Sequence, residues 1–229
     1  MQKVTVIIPI HNEENTIEKV INLIKKSKYV QEIIVVDNNS TDKTPEILQK
    51  IIMQNKDIIK VIHCQDKGKG YAMEKGMNIS SNEIIVFLDG DIIDYSEDIV
   101  ERLATPIING EADFVKSFWE RTKGGIITNI VAKPLLDIVF PEVNIFLEPL
   151  SGMIASKKTI FQNLEFEKNY GVDIAIVIDM ILNNIKTKEV DIGNFNNISH
   201  DCKTQESIQK MSSEVMQAIL KKAKMHNRI

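Results

Sequence analysis

The stretch EIIVFLDGDIIDYSED, residues 83 to 98, carries an apolar run, Ile84 to Leu88, that stops at two aspartates separated by one glycine. Two like charges at the end of a strand repel each other, and a bound cation is the usual remedy. Hard oxygen ligands suit Mg2+ or Mn2+, and an ion held there would bridge to a diphosphate. Asp89-Gly90-Asp91 is also an ordinary β-turn sequence. On either reading Gly90 lets backbone or ligand approach closely. The neighbouring rims decide between the two.

Two further polar clusters follow apolar runs in the same way. His11-Asn12-Glu13-Glu14 follows VTVIIPI (4–10), and Asp37-Asn38-Asn39-Ser40 follows EIIVVD. Strands with no polar face are buried on both sides, as in parallel sheets. In such sheets ligands bind beyond the carboxyl ends of the strands. Three clusters distant in sequence but sharing one rim make a site, and this convergence is stronger evidence than any one motif.

The elements that position these groups alternate. A helix over NEENTIEKVINLIKK has Ile17, Val20, Ile21 and Ile24 at helical spacing, with Asn15 or Thr16 as cap. Thr44-Pro45 starts another, with proline in its first turn. KVIH reads as a third strand, YAMEKGMNI as a helix and EIIVFLD as a fourth strand. The expectation is an α/β fold, a mostly parallel central sheet flanked by helices. After residue 110 the alternation loosens. DFVKSFW reads as a strand, TNIVAKPLLDIVF as a helix interrupted near Pro134, and NIFLEPLSGMIAS as a strand and turn leading to a short helix. VDIAIVIDMILNN reads as a helix, TKEVDIG and NFNNISH as strands, and QESIQKMSSEVMQAILKKAK as a closing helix whose stripe Ile208, Met211, Val215 and Ile219 suits core or partner packing.

The chain has 229 residues, 43% of them hydrophobic and 26% charged, enough for one large domain with a sizeable core. A net charge of -4 gives no reason to expect nucleic-acid binding. The N-terminus shows no signal pattern, no apolar run approaches the roughly 20 residues of a membrane span, and Cys64 and Cys202 do not suggest a disulfide scaffold. The expectation is a soluble cytoplasmic protein.

VIIPIHNEENTI, IIVVDNNSTDKT, KGKGYAMEKG and VFLDGDI are similar to the successive motifs of GT-A glycosyltransferases, which use nucleotide sugars. Downstream, GGIITNIVAKPLLDIVFPE, EPLSGMIAS, NYGVDIAIVID and VDIG…SH resemble a retaining branch of that fold, the glucosyl-3-phosphoglycerate synthases. The likeness runs in order from about residue 3 to residue 220. It implies a metal-dependent transfer of a hexose, from UDP-glucose or a similar donor, to a small acceptor, with Mn2+ or Mg2+ as cofactor and subunits paired as homodimers. Residues 1–110 would form the nucleotide-sugar half and 111–229 the acceptor half with the C-terminal helix, in one continuous domain.

The resemblance also implies roles for matching positions. Pro9, Ile10, His11, Glu13 and Asn38 would frame the nucleoside, and Glu13 has the chemistry to accept from a uracil or ribose donor. A charged helix start is the other reading of Glu13 and Glu14. Lys69, between two glycines, would reach the base or the phosphates, although the spacing is not that of a Walker loop. Asp89 and Gly90 join the nucleotide side, Asp91 and His200 would ligate the metal, and Leu150 with Ser151-Gly152 would line the donor sugar. Asp173 would face that sugar where the family has glutamate; it also suits the first turn of a helix. Gly125 and Thr128 match the acceptor side.

Three acceptor positions depart from the family. Ile126 and Ile198 stand where arginines are expected, and Cys202 where an asparagine is expected. Isoleucine does not reproduce bidentate recognition of a phosphate. Rival readings are an inverting transferase of the same fold acting on a polyprenyl phosphate or glycan, a sugar nucleotidyltransferase, and a nucleotide-sugar-binding protein without catalysis. The nucleotidyltransferase lacks its glycine- and arginine-rich N-terminal loop here.

Overall fold

The computed structural model describes residues 3–119, 125–193 and 204–229. Strand β1 (Val4–Ile10) is followed by α1 (Ile17–Ile24), β2 (Val30–Asp37), α2 (Thr44–Gln54), β3 (Ile59–His63), α3 (Lys69–Ile79) and β4 (Ile84–Phe87). Then come α4 (Ile99–Ile108), β5 (Phe114–Phe118), a π-helical turn (Thr128–Ala132), α5 (Lys133–Val139), β6 (Ile154–Lys157), α6 (Lys158–Phe161), α7 (Val172–Leu182), β7 (Thr187–Asp191) and α8 (Gln205–Met225).

The strands form one sheet in the order β3-β2-β1-β4-β6-β5-β7. β1 pairs in parallel with β2 and β4, β2 with β3, and β5 with β7; β6 runs antiparallel to both β4 and β5. Among the described strands β6 alone therefore runs against the rest. The expected fold class holds.

The strand pattern explains the two-sided burial. Val4, Val6, Ile8 and Ile10 enter one core with Ile33, Val35, Ile84 and Val86, against α1, α2 and α4. Ile7, Ile34, Val36, Ile85 and Phe87 enter the other, with side chains of α3, α5, α7 and α8. A period of two places successive residues on opposite faces, so neither set tolerates a polar replacement. The register brings Ile10 beside Asp37 and Asp37 beside His63, so the polar clusters share one edge.

Three differences from the sequence expectation have local causes. Helix α4 was not foreseen, although Ile99, Val100, Leu103, Ala104 and Ile107 are buried at helical spacing. Between Asn144 and Gly152 there is no strand; only Ile154–Lys157 pairs. The interruption near Pro134 is a π turn just before it, since a proline nitrogen cannot donate to the carbonyl four residues back. NFNNISH lies outside the described residues.

At the opposite edge of the sheet, Glu32 is buried and fully engaged. Its Oε2 accepts from Thr5 Oγ1 at 2.6 Å and Ser81 N at 2.8 Å; its Oε1 accepts from Lys60 Nζ at 2.6 Å and Ser81 Oγ at 2.9 Å. Burial alone would raise its pKa, but these donors outweigh burial and hold the carboxyl below its ordinary value of 4.5. Its contribution is therefore present above the unfolded pKa and lost as pH falls through the folded one. Glu32→Ala is expected to lower stability by about 2 kcal/mol at neutral pH, because it removes a charged acceptor and strands the buried Thr5 hydroxyl. In urea titrations that gap should shrink below pH 4.5; a gap independent of pH would contradict the assignment.

Candidate active site

The β1–α1 and β2–α2 loops are joined along their length. Asn38 N donates to Ile10 O and His11 Nδ1 to Asn38 O, at 2.8 and 2.9 Å. Asn12, at φ 59°, accepts from Thr41 N and donates its own N–H to Ser40 Oγ. Asparagine adopts this left-handed backbone more readily than other side chains. Glu13 N donates to Thr44 Oγ1, while its Oε2 accepts from Thr16 Oγ1 at 2.6 Å. Thr16 stands at the expected N-cap position of α1, but its hydroxyl anchors Glu13 rather than bonding the helix's own N–H groups. Glu14 accepts from Lys43 N, as a residue stabilising the next helix start.

Asn38 ties this pair of loops to the next. Its Oδ1 accepts from Gly68 N at 2.8 Å and its Nδ2 donates to Asp66 O at 2.6 Å. Its side chain therefore shapes the loop before α3. A Cβ at Gly68 or Gly70 would fall on the carbonyls of Lys168 and Glu167, so glycine is required for α3 to start here.

Lys69, the first residue of α3, is committed to two carboxylates. Its Nζ lies 2.9 Å from Asp89 Oδ1 and 2.9 Å from Asp173 Oδ2. Burial would lower its pKa, but Asp173 and Asp89 outweigh burial and hold the ammonium above its ordinary range. Asp173, in the first turn of α7, is buried, and its Oδ1 has no hydrogen-bond partner among the described residues. Tyr95 clamps the other carboxylate's backbone: its hydroxyl accepts from Asp89 N and donates to Asp89 O, each at 3.1 Å.

These groups line a cleft of about 890 Å³. Pro9, Ile10, His11, Glu13 and Asn38 line it from the first two rims. Lys69, Asp89, Gly90, Asp91 and Asp173 form its floor, and Leu150, Gly125 and Thr128 complete it. Every site residue expected from sequence that the structure describes is in this one cleft; His200, Ile198 and Cys202 lie outside the described residues. Ile126 lines it as well and is more than half exposed.

Sequence reading missed other walls. Ile208 and Met211, placed in a packing stripe, line the cleft alongside Lys210 and Glu214, while Val215 and Ile219 of that stripe are core. Gly152 packs on the Lys69–Asp89 pair, and fully buried Lys116 lies behind it. Burial pushes Lys116 down to about 8.

The charges favour a cation. Burial first, then the charges of Asp89 and Glu13, push the Asp91 carboxyl up to about 7. Among the described residues, Glu13, Asp89, Asp91 and Asp173 gather around Lys69, with Lys116 buried behind them, a local excess of acid that a divalent ion would balance. Among the described residues no three His, Cys, Asp or Glu side chains are grouped to hold a metal. Asp91 would need a ligand from elsewhere, and oxygen donors of this kind suit Mg2+ or Mn2+.

The family model described as "Glycosyl transferase family 2" matches residues 5–162, more than half of the chain. The chain belongs to glycosyl transferase family 2. It is therefore a glycosyltransferase. Among its relatives, the glucosyl-3-phosphoglycerate synthase of Petrotoga mobilis is 30% identical, across 99% of this chain and 75% of that protein. The Mycobacterium tuberculosis protein of the same name is 35% identical across 77% of this chain and 60% of its own length. This family 2 chain also superposes on a crystal structure of that mycobacterial synthase in complex with Mn2+, UDP-glucose and phosphoglyceric acid. The TM-score is 0.86 at 32% identity, covering 97% of this chain and 80% of that one.

In this glycosyltransferase Gly152 has no room for a side chain. A Cβ there would fall on Lys69 Nζ and lie 2.7 Å from Asp89 Oδ1. Gly152→Ala is expected to cut turnover about 100-fold, since small displacements of reacting groups carry such losses. Steady-state kinetics on the folded variant would check this, and wild-type turnover would contradict it.

Proposed function

We propose that the chain transfers glucose from UDP-glucose to a small acceptor of the phosphoglycerate class, with Mn2+ or Mg2+ and with retention at the anomeric carbon. The observation that carries this reading is the Asp173 carboxylate. Asp173 lines the cleft; one of its oxygens is fixed by Lys69, and the other is buried without a hydrogen-bond partner among the described residues. A buried acceptor left unpaired costs about 1–3 kcal/mol, and a sugar hydroxyl in the cleft would satisfy it. The similarity to synthases in complex with UDP-glucose supports the donor.

Asp91 and His200 would hold the ion, with Asp89 beside them. When bound, the ion supplies positive charge to the diphosphate as the glycosidic bond breaks. Pro9, Ile10 and Glu13 frame the nucleoside, and the Leu150–Gly152 strap with Asp173 seats the hexose. Retention rests on the likeness to the retaining glucosyl-3-phosphoglycerate synthases. Among the described residues Asp89 and Asp173 bond Lys69, Glu13 bonds Thr16 and Asp91 is assigned to the ion, so front-face attack is favoured over a carboxylate nucleophile. The acceptor hydroxyl then attacks from the face of the departing phosphate, whose oxygen takes its proton.

Thermal-shift screening with UDP-, GDP- and ADP-sugars, with and without Mn2+, tests the donor. A ligand at 100 times its Kd stabilises by about 2.7 kcal/mol. NMR of the linkage made with 3-phosphoglycerate tests the outcome, and an inverted anomeric centre overturns it. Exposed Ile130, Ile138, Ile145 and Leu147, around α5 and the loop after it, support a homodimer. Light scattering that finds a monomer at micromolar concentration rejects that part. The enzyme is read as cytoplasmic: no helix among the described residues is long and apolar enough to cross a membrane, and free, buried Cys64 suits a reducing compartment.

A further inference from the structure

Lys116, on β5, has no exposed surface, and no step of the transfer above uses it. Its Nζ donates to Ser151 O. The next residue, Ser117, is also fully buried and places its Oγ 2.6 Å from Ser151 Oγ, which in turn accepts from Met153 N at 3.2 Å. Ser151 is thus held through both its carbonyl and its hydroxyl. Its neighbours Leu150 and Gly152 line the cleft, and Gly152 sits on the Lys69–Asp89 pair.

A buried ammonium is a poor device for stability. Taking it out of water is costly, and only the contacts it makes in return offset that cost. The contacts of Lys116 and Ser117 converge on one residue of the cleft wall, which is the pattern of a support for that wall. The nucleoside rim has its own supports, Asn38 and the fully buried Thr44.

We propose that Lys116 and Ser117 are positioning residues for the hexose of the donor: from behind the sheet edge they fix the Leu150–Gly152 strap, so that strap and Asp173 together seat the sugar. The inference rests on the nucleotide-sugar reading and adds that sugar and nucleotide are held by separable supports. It predicts a selective defect. Lys116→Met should leave affinity for UDP with Mn2+ within about twofold while weakening UDP-glucose about tenfold, the equivalent of one lost positioning interaction.

Calorimetric titration of the full chain with UDP and with UDP-glucose, in the presence of Mn2+, reads this directly. Ser117→Ala, which removes only a hydroxyl, should show the same selectivity with a smaller loss. It decides the matter if the methionine variant does not fold. Equal weakening of both ligands, or no weakening of UDP-glucose, overturns the proposal. If wild type itself binds neither ligand, the donor reading fails first and this inference falls with it.

Discussion

Replacing Lys69 with methionine is expected to remove stability and turnover together, the largest combined loss of any single change in this chain. The ammonium is the shared partner of Asp89 and Asp173, at 2.9 Å from each. Its side chain is only 15% exposed and that of Asp173 only 6%, so water cannot replace it. Removing one member of a buried ionic group leaves uncompensated charge and costs about 3–5 kcal/mol. For a chain of this size that lowers the melting temperature by roughly 10 °C. The deficit depends on pH with a definite sign. Burial already raises the Asp173 carboxyl, and without Lys69 it rises further, so the loss is complete at high pH and is relieved as falling pH protonates Asp173. Calorimetry across pH reads both effects. A variant that melts with wild type at neutral pH would show that Lys69 is not the keystone its geometry implies.

Asp91→Asn is expected to abolish metal-dependent transfer, by more than about 1000-fold, while keeping the fold. Asparagine has nearly the same shape but lacks the charge that a hard divalent cation requires. The free protein should respond in the opposite direction. Burial, with Asp89 and Glu13, holds the Asp91 carboxyl at about 7 rather than its ordinary 3.8. The folded protein therefore binds more protons than the unfolded chain between those values, and stability falls as pH rises through that window. Above pH 7 the full cost is present, so metal-free Asp91→Asn should melt higher than metal-free wild type. Electron paramagnetic resonance of Mn2+ measures binding without turnover. A variant that still binds the ion tightly would remove Asp91 from the metal site.

The first half of the fold was legible because β1, β2 and β4 are buried on both faces. Such strands are written as unbroken β-branched runs, and the polar residues that end them mark the ligand edge. Beyond residue 110 the chain is written less plainly. Strand β6 is four residues long, and its reversed direction is set by pairing with β4 and β5, which no local pattern reports. Helix α4 had signals that went unread, an acidic start at Asp98 and Gly110 beyond its end at φ 71°. Lys116 in the middle of a strand reads as a solvent-facing residue, and only tertiary packing buries it. Lys69 was legible as a cation of the site, but its pairing with Asp173 spans 104 positions and required the folded chain. In α8 one apolar stripe serves both core and cleft, and a single period cannot distinguish the two uses.

The family match ends at residue 162, yet Asp173 lies beyond it. Lys69 therefore reaches from the portion matched by the family model to a carboxylate beyond it. Hybrids that graft another protein's last third onto this one should work only where the donor brings an acid to that place. Recombination between relatives is thus constrained by one ammonium group at the seam.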